Sequence, residues 1–310
     1  MLGESAKSVA LVVGPARADE RLAAFRMVFP DDDDVRGRLQ RAEALMCTGQ
    51  LDPDSVRVVR DSIGLAAAMI AAPLSGSAAV VWPPRVRPSL HHAKPVVQAL
   101  AADAVAWLNS HHVRLAQALL PPEDANLAEP LLAQGFRHTT RLVYLRHFLD
   151  LSFAQMATAE RCGYQTYLEV GDQRFADVLA RTYEGTLDCP EINGVRSPAE
   201  ILAGHRGAGP FDPEQWWLAT LDGEPAGVAL ATMPEDGAWD VAYLGVVPEA
   251  RRKGIGQELV RKLLFEAKAA EIPMVTLAVD ARNEPARRLY HSAGFEPYDE
   301  RDVYLKIFPS

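Results

Sequence analysis

One succession of residues occurs twice along this chain, and it limits the folds open to it more than any other feature. Val275-Thr276-Leu277-Ala278-Val279 leads through a polar turn and a short helical stretch to Ala293-Gly294-Phe295 and then to Val303-Tyr304-Leu305-Lys306. Earlier, Val113-Arg114-Leu115-Ala116-Gln117 leads through Pro121 to Asn126 and a short helical stretch to Gln134-Gly135-Phe136 and then to Val143-Tyr144-Leu145-Arg146. Order and approximate spacing coincide, the mark of a duplicated unit. The 310 residues suit two domains of about 150 residues each. A first domain over 1–150, a linker over 151–162 and a second domain over 163–310 are expected. The boundary falls between Leu149 and Gly163, and Ser152 to Arg161 reads as a bridging helix.

Charge and cysteine usage remove several classes of function. A net charge of −9 opposes binding to phosphate backbones, so no nucleic-acid partner is expected. Cys47, Cys162 and Cys189 are odd in number and widely spaced, which suits a reducing compartment better than a disulfide framework. They form no metal-ligand pattern, and the pairs His91-His92 and His111-His112 lack neighbouring ligands, so no metal is expected. No run of about 18 apolar residues occurs, and no signal peptide is readable before Pro15; a cytoplasmic protein without a membrane partner is expected. The acidic run Asp31 to Asp34 reads as a solvated loop.

The second half is the more legible. Tyr164 to Val170 alternates like a strand, and Asp172 is placed to cap a helix over about Gln173 to Tyr183. After a polar loop, Glu184 to Ser197, a second helix opens at Ser197-Pro198 with Glu200 three residues after the cap. Trp216 to Leu221 and Ala226 to Thr232 form a hairpin about Asp222-Gly223, and Trp239 to Val247 is a further strand. Leu259, Val260, Leu263, Leu264 and Ala267 line one face of a helix whose other face carries Glu258, Arg261, Lys262, Glu266 and Lys268. Met274 to Val279, Glu284 to Ser292 and Val303 to Ile307 complete a strand, a helix and a strand. This order gives an α/β or α+β sandwich with a mixed sheet.

Chemistry enters at Val246-Val247-Pro248-Glu249-Ala250-Arg251-Arg252-Lys253-Gly254-Ile255-Gly256. A strand end, a basic turn with two glycines and a helix start follow one another directly. Amides at a helix N-terminus lack intrahelical acceptors and sit in a field that favours negative charge, so such a turn can cradle phosphate oxygens. Gly254 and Gly256 keep side chains from holding a ligand off the backbone. Neither G-x-G-x-x-G nor G-x-x-x-x-G-K-[ST] is satisfied; [QR]-x-x-G-x-[GA], beginning at Arg251, is. Together with Asp280-Ala281-Arg282-Asn283, Ala286-Arg287-Arg288-Leu289-Tyr290 and Ala293-Gly294-Phe295, the stretch Val241 to Phe295 resembles the acetyl-coenzyme-A-binding core of the GNAT superfamily, and the similarity in element order extends over about Tyr164 to Phe308.

That resemblance implies two tandem GNAT-like domains, each a mixed, mostly antiparallel sheet flanked by helices, with acetyl-CoA as co-substrate. It implies that Val246 and Val247 bond the pantetheine arm through their backbone, and that Arg251, Arg252, Lys253, Gly254, Ile255 and Gly256 hold the pyrophosphate. Asn283 takes the place of a coenzyme-A-contacting asparagine, a helix cap, or both. Tyr290 stands where many members place the acid that protonates the departing thiolate, with core packing as its alternative role. A free alkylamine is mostly ammonium at neutral pH, so a base is useful. Asp240, eleven residues before Arg251, matches the position of a catalytic Glu in some members and is otherwise a surface carboxylate; Tyr243 is held in reserve. Glu184, Asp188, Glu191 and Asn193 crowd the loop that covers the acceptor groove in this fold, where acidic groups suit a cationic amine. Cys189 has no readable base partner and is not taken as a nucleophile.

The first half has no equivalent turn. Val81 to His92 contains no glycine, Pro83, Pro84 and Pro88 delete amide donors, and Leu131 stands where Tyr290 stands. It resembles a degenerate, non-catalytic copy. The activity implied is N-acetyl transfer to a primary amine of a small molecule, by direct attack in a ternary complex. Some members share this two-domain plan with a C-terminal active site, which implies an aminosugar or thiol precursor as one acceptor class. A coenzyme-A-sensing or scaffolding module and a protein N-acetyltransferase are the alternatives.

Overall fold

The computed structural model describes residues 11–149, 161–233 and 237–309. The expected bridging helix over Ser152 to Arg161 lies outside these residues apart from its last. The chain divides into two compact units, Met1–His138 with Tyr304–Ser310, and Thr139–Val303.

The first unit contains β1 (Val12–Pro15), α1 (Arg21–Val28), α2 (Val35–Cys47), β2 (Val56–Asp61), β3 (Gly64–Leu74), β4 (Ala78–Val86), α3 (Ala93–Ser110), β5 (Leu115–Leu120) and α4 (Glu129–Ala133). The acidic run begins α2: the Asp34 carboxylate accepts from the Gly37 amide at 3.1 Å, and Asp32 pairs with Arg38. Strands β1 to β4 are antiparallel neighbours, and β5 joins β4 in parallel over Ala78–Val80 only. Leu100, Leu108, Leu131 and Phe136 fill the core beside them.

The second unit holds β6 (Arg137–Phe148) from Thr139 onward, β7 (Gly163–Thr166), α5 (Tyr167–Val170), α6 (Asp172–Thr182), α7 (Pro198–Arg206), β8 (Trp216–Leu221), β9 (Glu224–Thr232), β10 (Trp239–Val246), α8 (Ile255–Ala269), β11 (Met274–Asp280), α9 (Glu284–Ser292) and, up to Val303, β12 (Glu296–Ile307). Its strand order is β7-β8-β9-β10-β11-β6-β12, antiparallel at β7–β8, β8–β9, β9–β10 and β11–β6, and parallel at β10–β11. The mixed, mostly antiparallel sheet between helices is the class expected from the sequence.

Local chemistry explains most boundaries. Asp222 and Gly223 both take positive φ, 53° and 86°, the geometry that matches the twist of a two-residue hairpin. Ser197 and Glu200 form a reciprocal capping box with Pro198 in the first turn of α7. The strand expected over Tyr164 to Val170 instead stops at Thr166, whose amide donates to Glu169 at 2.7 Å and begins a helical turn. Gly171, at φ +79°, then redirects the chain, so Asp172 lies inside α6 and accepts from the Tyr167 hydroxyl instead of capping the helix.

The duplication is preserved in detail. Gly135 and Gly294 both adopt left-handed φ, 85° and 88°, and the amides of Phe136 and Phe295 bond back to the carbonyls of Leu131 and Tyr290. The closing strands, however, are exchanged. Residues 139–150 were expected in the first domain, yet Leu142 to Phe148 pair with Met274 to Asp280 of β11 in the second unit. Tyr304 and Phe308 sit in the core of the first, where the Phe308 amide bonds the Arg114 carbonyl at 3.0 Å. Val-Tyr-Leu-Arg and Val-Tyr-Leu-Lys at 143–146 and 303–306 are near-identical.

Helices cover both faces of β9 and β10. A Cβ on Gly227 would meet the Gly245 carbonyl at 2.5 Å and Leu259 of α8 at 3.1 Å; one on Gly245 would meet Thr182 of α6 at 2.6 Å. Overfilling a close-packed contact costs about 2 kcal/mol. Gly227→Ala is therefore expected to lower the urea midpoint by a matching amount with an unchanged slope.

Candidate active site

Strands β10 and β11 pair only at Trp239↔Val275, Asp240↔Thr276 and Val241↔Leu277, although β10 runs to Val246 and β11 to Asp280. Beyond Val241 the two diverge, while β10 stays registered with β9 through a bulge between Val241 and Tyr243. One edge of β10 is thus left without a strand. The Val247 amide donates to the Ala226 carbonyl at 3.0 Å, toward β9. Backbone direction alternates along a strand, so the polar groups of Val246 face the opening. A cleft of about 490 Å³ fills the wedge, lined among others by Leu244, Val246, Gly254, Gly256, Asn283 and Tyr290. Of the two residues expected to bond the pantetheine arm, Val246 lines this cleft and Val247 does not: its amide is bound to β9 and its side chain is buried.

The basic turn closes one end of the cleft. Gly254 holds φ +84° as the cap of α8, and no side chain bonds the helix start. The first backbone bond there runs from Glu258 to the Gly254 carbonyl at 3.2 Å, which leaves the amides of Ile255, Gly256 and Gln257 without intrahelical acceptors. Arg252, at φ +62°, and Lys253 are exposed. Ile255 is buried and offers its main chain only. A side chain on Gly256 would press on Leu289 of α9 at 3.0 Å.

Arg251 is largely occupied by backbone carbonyls. Its Nε donates to Val246 O at 3.1 Å, Nη1 to Gly185 O at 3.2 Å, and Nη2 to Thr182 O and Glu184 O at 3.1 and 2.6 Å. A guanidinium has five N–H groups, so only one is left. Arg251 clamps the loop after α6 to the end of β10, and it also lines the cleft.

The far end of that loop is tied to β11. Asp188 Oδ1 accepts the Asp280 amide at 2.9 Å, and the Cys189 amide donates to Asp280 Oδ2 at 3.0 Å. Arg282 bridges Asp280 and Glu191. Asp280 is fully buried. Burial works against its charge, but bonds from Arg282, Thr140 and the Cys189 amide outweigh it and hold the carboxyl below the usual range. Burial, then the charge of Asp280, raises Asp188. Burial, then Glu191, Asp280 and Asp188, pushes the Cys189 thiol up to about 12, so it stays protonated near neutrality. Of the four loop residues expected to meet the acceptor, only Asp188 lines the cleft. Glu191 is spent on Arg282, Asn193 donates to the Tyr183 carbonyl at 3.3 Å, and Glu184 is exposed with its carbonyl held by Arg251.

Tyr290 of α9 is buried and packs edge-on against Phe295 at 5.7 Å, so packing and cleft lining coexist. Burial, then Asp188 and Tyr243, raises its phenol well above the ordinary value. Tyr243 also lines the cleft, but its hydroxyl is bonded to Thr182 at 2.9 Å and its ring stacks on Tyr183 at 4.9 Å. Asn283 caps α9 through the Ala286 amide at 3.3 Å and lines the cleft as well. Asp240 is not among the lining residues; it sits on the last paired rungs, where Thr276 Oγ1 donates to it at 2.8 Å. The Arg251 clamp and the Asp280–Arg282 tie were missed from the sequence, because the loop residues they hold lie 66 to 92 residues away. Among the described residues, no group of three His, Cys, Asp or Glu side chains is placed to hold a metal, and no helix is long and apolar enough to cross a membrane.

Wedge, turn and loop define a class. Residues 182–295 match the acetyltransferase (GNAT) family, and this stretch is a GNAT domain. The chain is 35% identical over 194 residues to the mycothiol acetyltransferase of Beutenbergia cavernae, covering 57% of this chain and 61% of that protein. It is 38% identical over 88 residues to the mycothiol acetyltransferase of Thermomonospora curvata, covering 28% and 30%. The matches thus span less than two thirds of the length of these relatives. In fold, the chain is similar to a GCN5-related N-acetyltransferase from Sphaerobacter thermophilus, with TM-score 0.64, 19% identity and coverage of 96% and 95%. It is also similar to a tandem GNAT protein from the clavulanic acid biosynthesis pathway, with TM-score 0.55, 19% identity and coverage of 97% and 100%.

Two outcomes test this geometry. Arg251→Lys removes the fork that reaches three loop carbonyls and is expected to speed hydrogen exchange at residues 183–189 by about tenfold, while α8 keeps its protection. His205 bonds the Tyr183 hydroxyl at 3.0 Å, and burial, then Arg196, lowers its pKa to about 4. The unfolded chain takes up this proton near pH 6.5 and the folded chain does not, so stability is lost as pH falls from about 6.5 toward 4. Denaturant melts of His205→Gln should show this acid limb flattened by about 3 kcal/mol.

Proposed function

We propose that the second unit is an acyl-CoA-dependent N-acyltransferase that moves acetyl from acetyl-CoA to a primary amine of a small molecule. The observation that carries this reading is the wedge itself: the unpaired edge of β10, the uncapped start of α8 and the Tyr290 phenol open into one cleft. The amides of Ile255, Gly256 and Gln257 would take the diphosphate oxygens, with Arg252 and Lys253 adding exposed positive charge. The Val246 amide would bond the pantetheine arm, and Asn283 would contact the same ligand from the mouth of α9.

Direct attack accounts for the remaining groups. The amine nitrogen bonds the thioester carbonyl carbon, the C–S bond breaks, and the sulfur leaves with the electron pair. An amide on the open edge of β10 would stabilise charge on the carbonyl oxygen. Tyr290, kept protonated by burial, would give its proton to the sulfur. The proton lost by the amine would pass through water to Asp240, whose Thr276 bond fixes one oxygen. Asp188, in the cleft, favours an ammonium on arrival. Alignment of amine and thioester supplies much of the rate. The name of the curated relatives, mycothiol acetyltransferase, supports a small-molecule acceptor.

The first unit is proposed not to catalyse. Its corresponding cleft, about 400 Å³, is bordered by Arg85 and Lys94, which are already paired with Asp124 and Glu129. Leu131 replaces the phenol.

Coenzyme A release measured against a panel of primary amines tests the reading. Tyr290→Phe should lower kcat about 100-fold with the KM for acetyl-CoA unchanged, and Gly254→Glu should abolish coenzyme A binding by calorimetry. Tight binding without turnover on any amine would make the domain a coenzyme A sensor, and binding retained by Gly254→Glu would move the cofactor to the first unit.

A further inference from the structure

The second unit carries a cation that the proposed chemistry does not use. Arg146 lies on β6, opposite Thr276 of β11, and Thr276 lies opposite Asp240 of β10. Directly paired residues project from the same face of a sheet, so Asp240, Thr276 and Arg146 form one polar row across three strands. The row is open: Ala278, next along β11 on that face, is exposed, as are Phe148 and Tyr298.

Arg146 is held but not neutralised. Its guanidinium lies 5.1 Å from the Phe148 ring centroid and 5.6 Å from that of Tyr298. Tyr298 in turn meets Tyr144 edge-on at 6.2 Å. Its Nε is buried and bonds nothing, and among the described residues it has no carboxylate partner. Other arginines of this unit are spent: Arg141 on Asp302 and Glu300, Arg282 on Asp280 and Glu191, Arg301 on Asp299, and Arg251 on carbonyls. A guanidinium fixed by aromatic rings with donors unfilled has the geometry to receive a planar or tetrahedral oxyanion.

We propose that Arg146 selects acceptors that carry a carboxylate or phosphate a few bonds from the reacting amine, the amine lying in the cleft a water away from Asp240 and the oxyanion on Arg146. The proposal rests on the acyltransferase reading above. Two strand spacings set the Cα atoms of Asp240 and Arg146 about 10 Å apart, and an acceptor with its anion a few bonds from its amine spans part of that row, water completing the path to Asp240. Arg146 is a positioning residue: it makes and breaks no bond in the transfer.

The full chain is tested with matched amines: n-butylamine and 4-aminobutyrate, ethanolamine and O-phosphoethanolamine, glucosamine and glucosamine 6-phosphate. Wild type should favour the anionic member of at least one pair by about 30-fold in kcat/KM, and the preferred pair separates carboxylate from phosphate. Arg146→Met should erase that preference, leaving the neutral member and the KM for acetyl-CoA unchanged; Arg146→Lys should restore part of it. Equal treatment of both members by wild type, or an equal loss on both in Arg146→Met, overturns the proposal while leaving the acyltransferase reading intact. If no amine is turned over, the acyltransferase reading fails, and calorimetry with 4-aminobutyrate and O-phosphoethanolamine decides the anion site. Binding to wild type and not to Arg146→Met upholds it, and no difference overturns it.

Discussion

Everything in the second unit turns on two parallel strands that agree to pair for three residues and then part. Pairing of β10 with β11 ends at Val241 and Leu277, and a sheet interior is normally the last place where backbone groups are left unbonded. The cost is tolerated because the opening is built around. The bulge after Val241 lets β10 turn while keeping its bonds to β9. Gly227 and Gly245 let α8 and α6 close down on either face. What would be a defect in a sheet becomes a slot with polar backbone along its edge.

The loop that borders the slot is held by charge. Arg251 gathers carbonyls of the loop after α6, and Asp280, itself buried, gathers the other end of that loop with Arg282 and Thr140. These are charge-assisted bonds in partly dry surroundings, the stronger kind. Two residues that look from their type like ligand contacts thus brace the frame, and the cations left exposed are Arg252 and Lys253. A chain of net charge −9 needs only such a local patch to meet a diphosphate.

Much of this was legible from residue order. The hairpin at Asp222-Gly223, the capping box at Ser197, the amphipathic face of α8 and the repeat itself rest on short-range periodicity, and the helices and strands appear where that periodicity put them. The glycine turn at the end of the wedge was readable as well. Three things were not. Gly171 overruled Asp172 as the start of α6, since a left-handed glycine redirects the chain more firmly than an Asp side chain caps it. Glu191 and Asn193 looked available because their partners, Arg282 and the Tyr183 carbonyl, come from elsewhere in the fold. Asp240 has the spacing of a base, yet the pairing of β10 with Thr276 sets it just outside the cleft.

The exchanged closing strands bear on how such a chain can be taken apart. A fragment beginning at Gly163 would carry every residue of the glycine turn and still lack β6, so β11 would present a bare edge and Arg146 and Tyr144 would be missing. A fragment ending at Phe148 would in turn lose Tyr304 and Phe308 from its core. Exposed edges of this length invite pairing with other chains. A cut between the two similar halves therefore takes a closing strand from each unit.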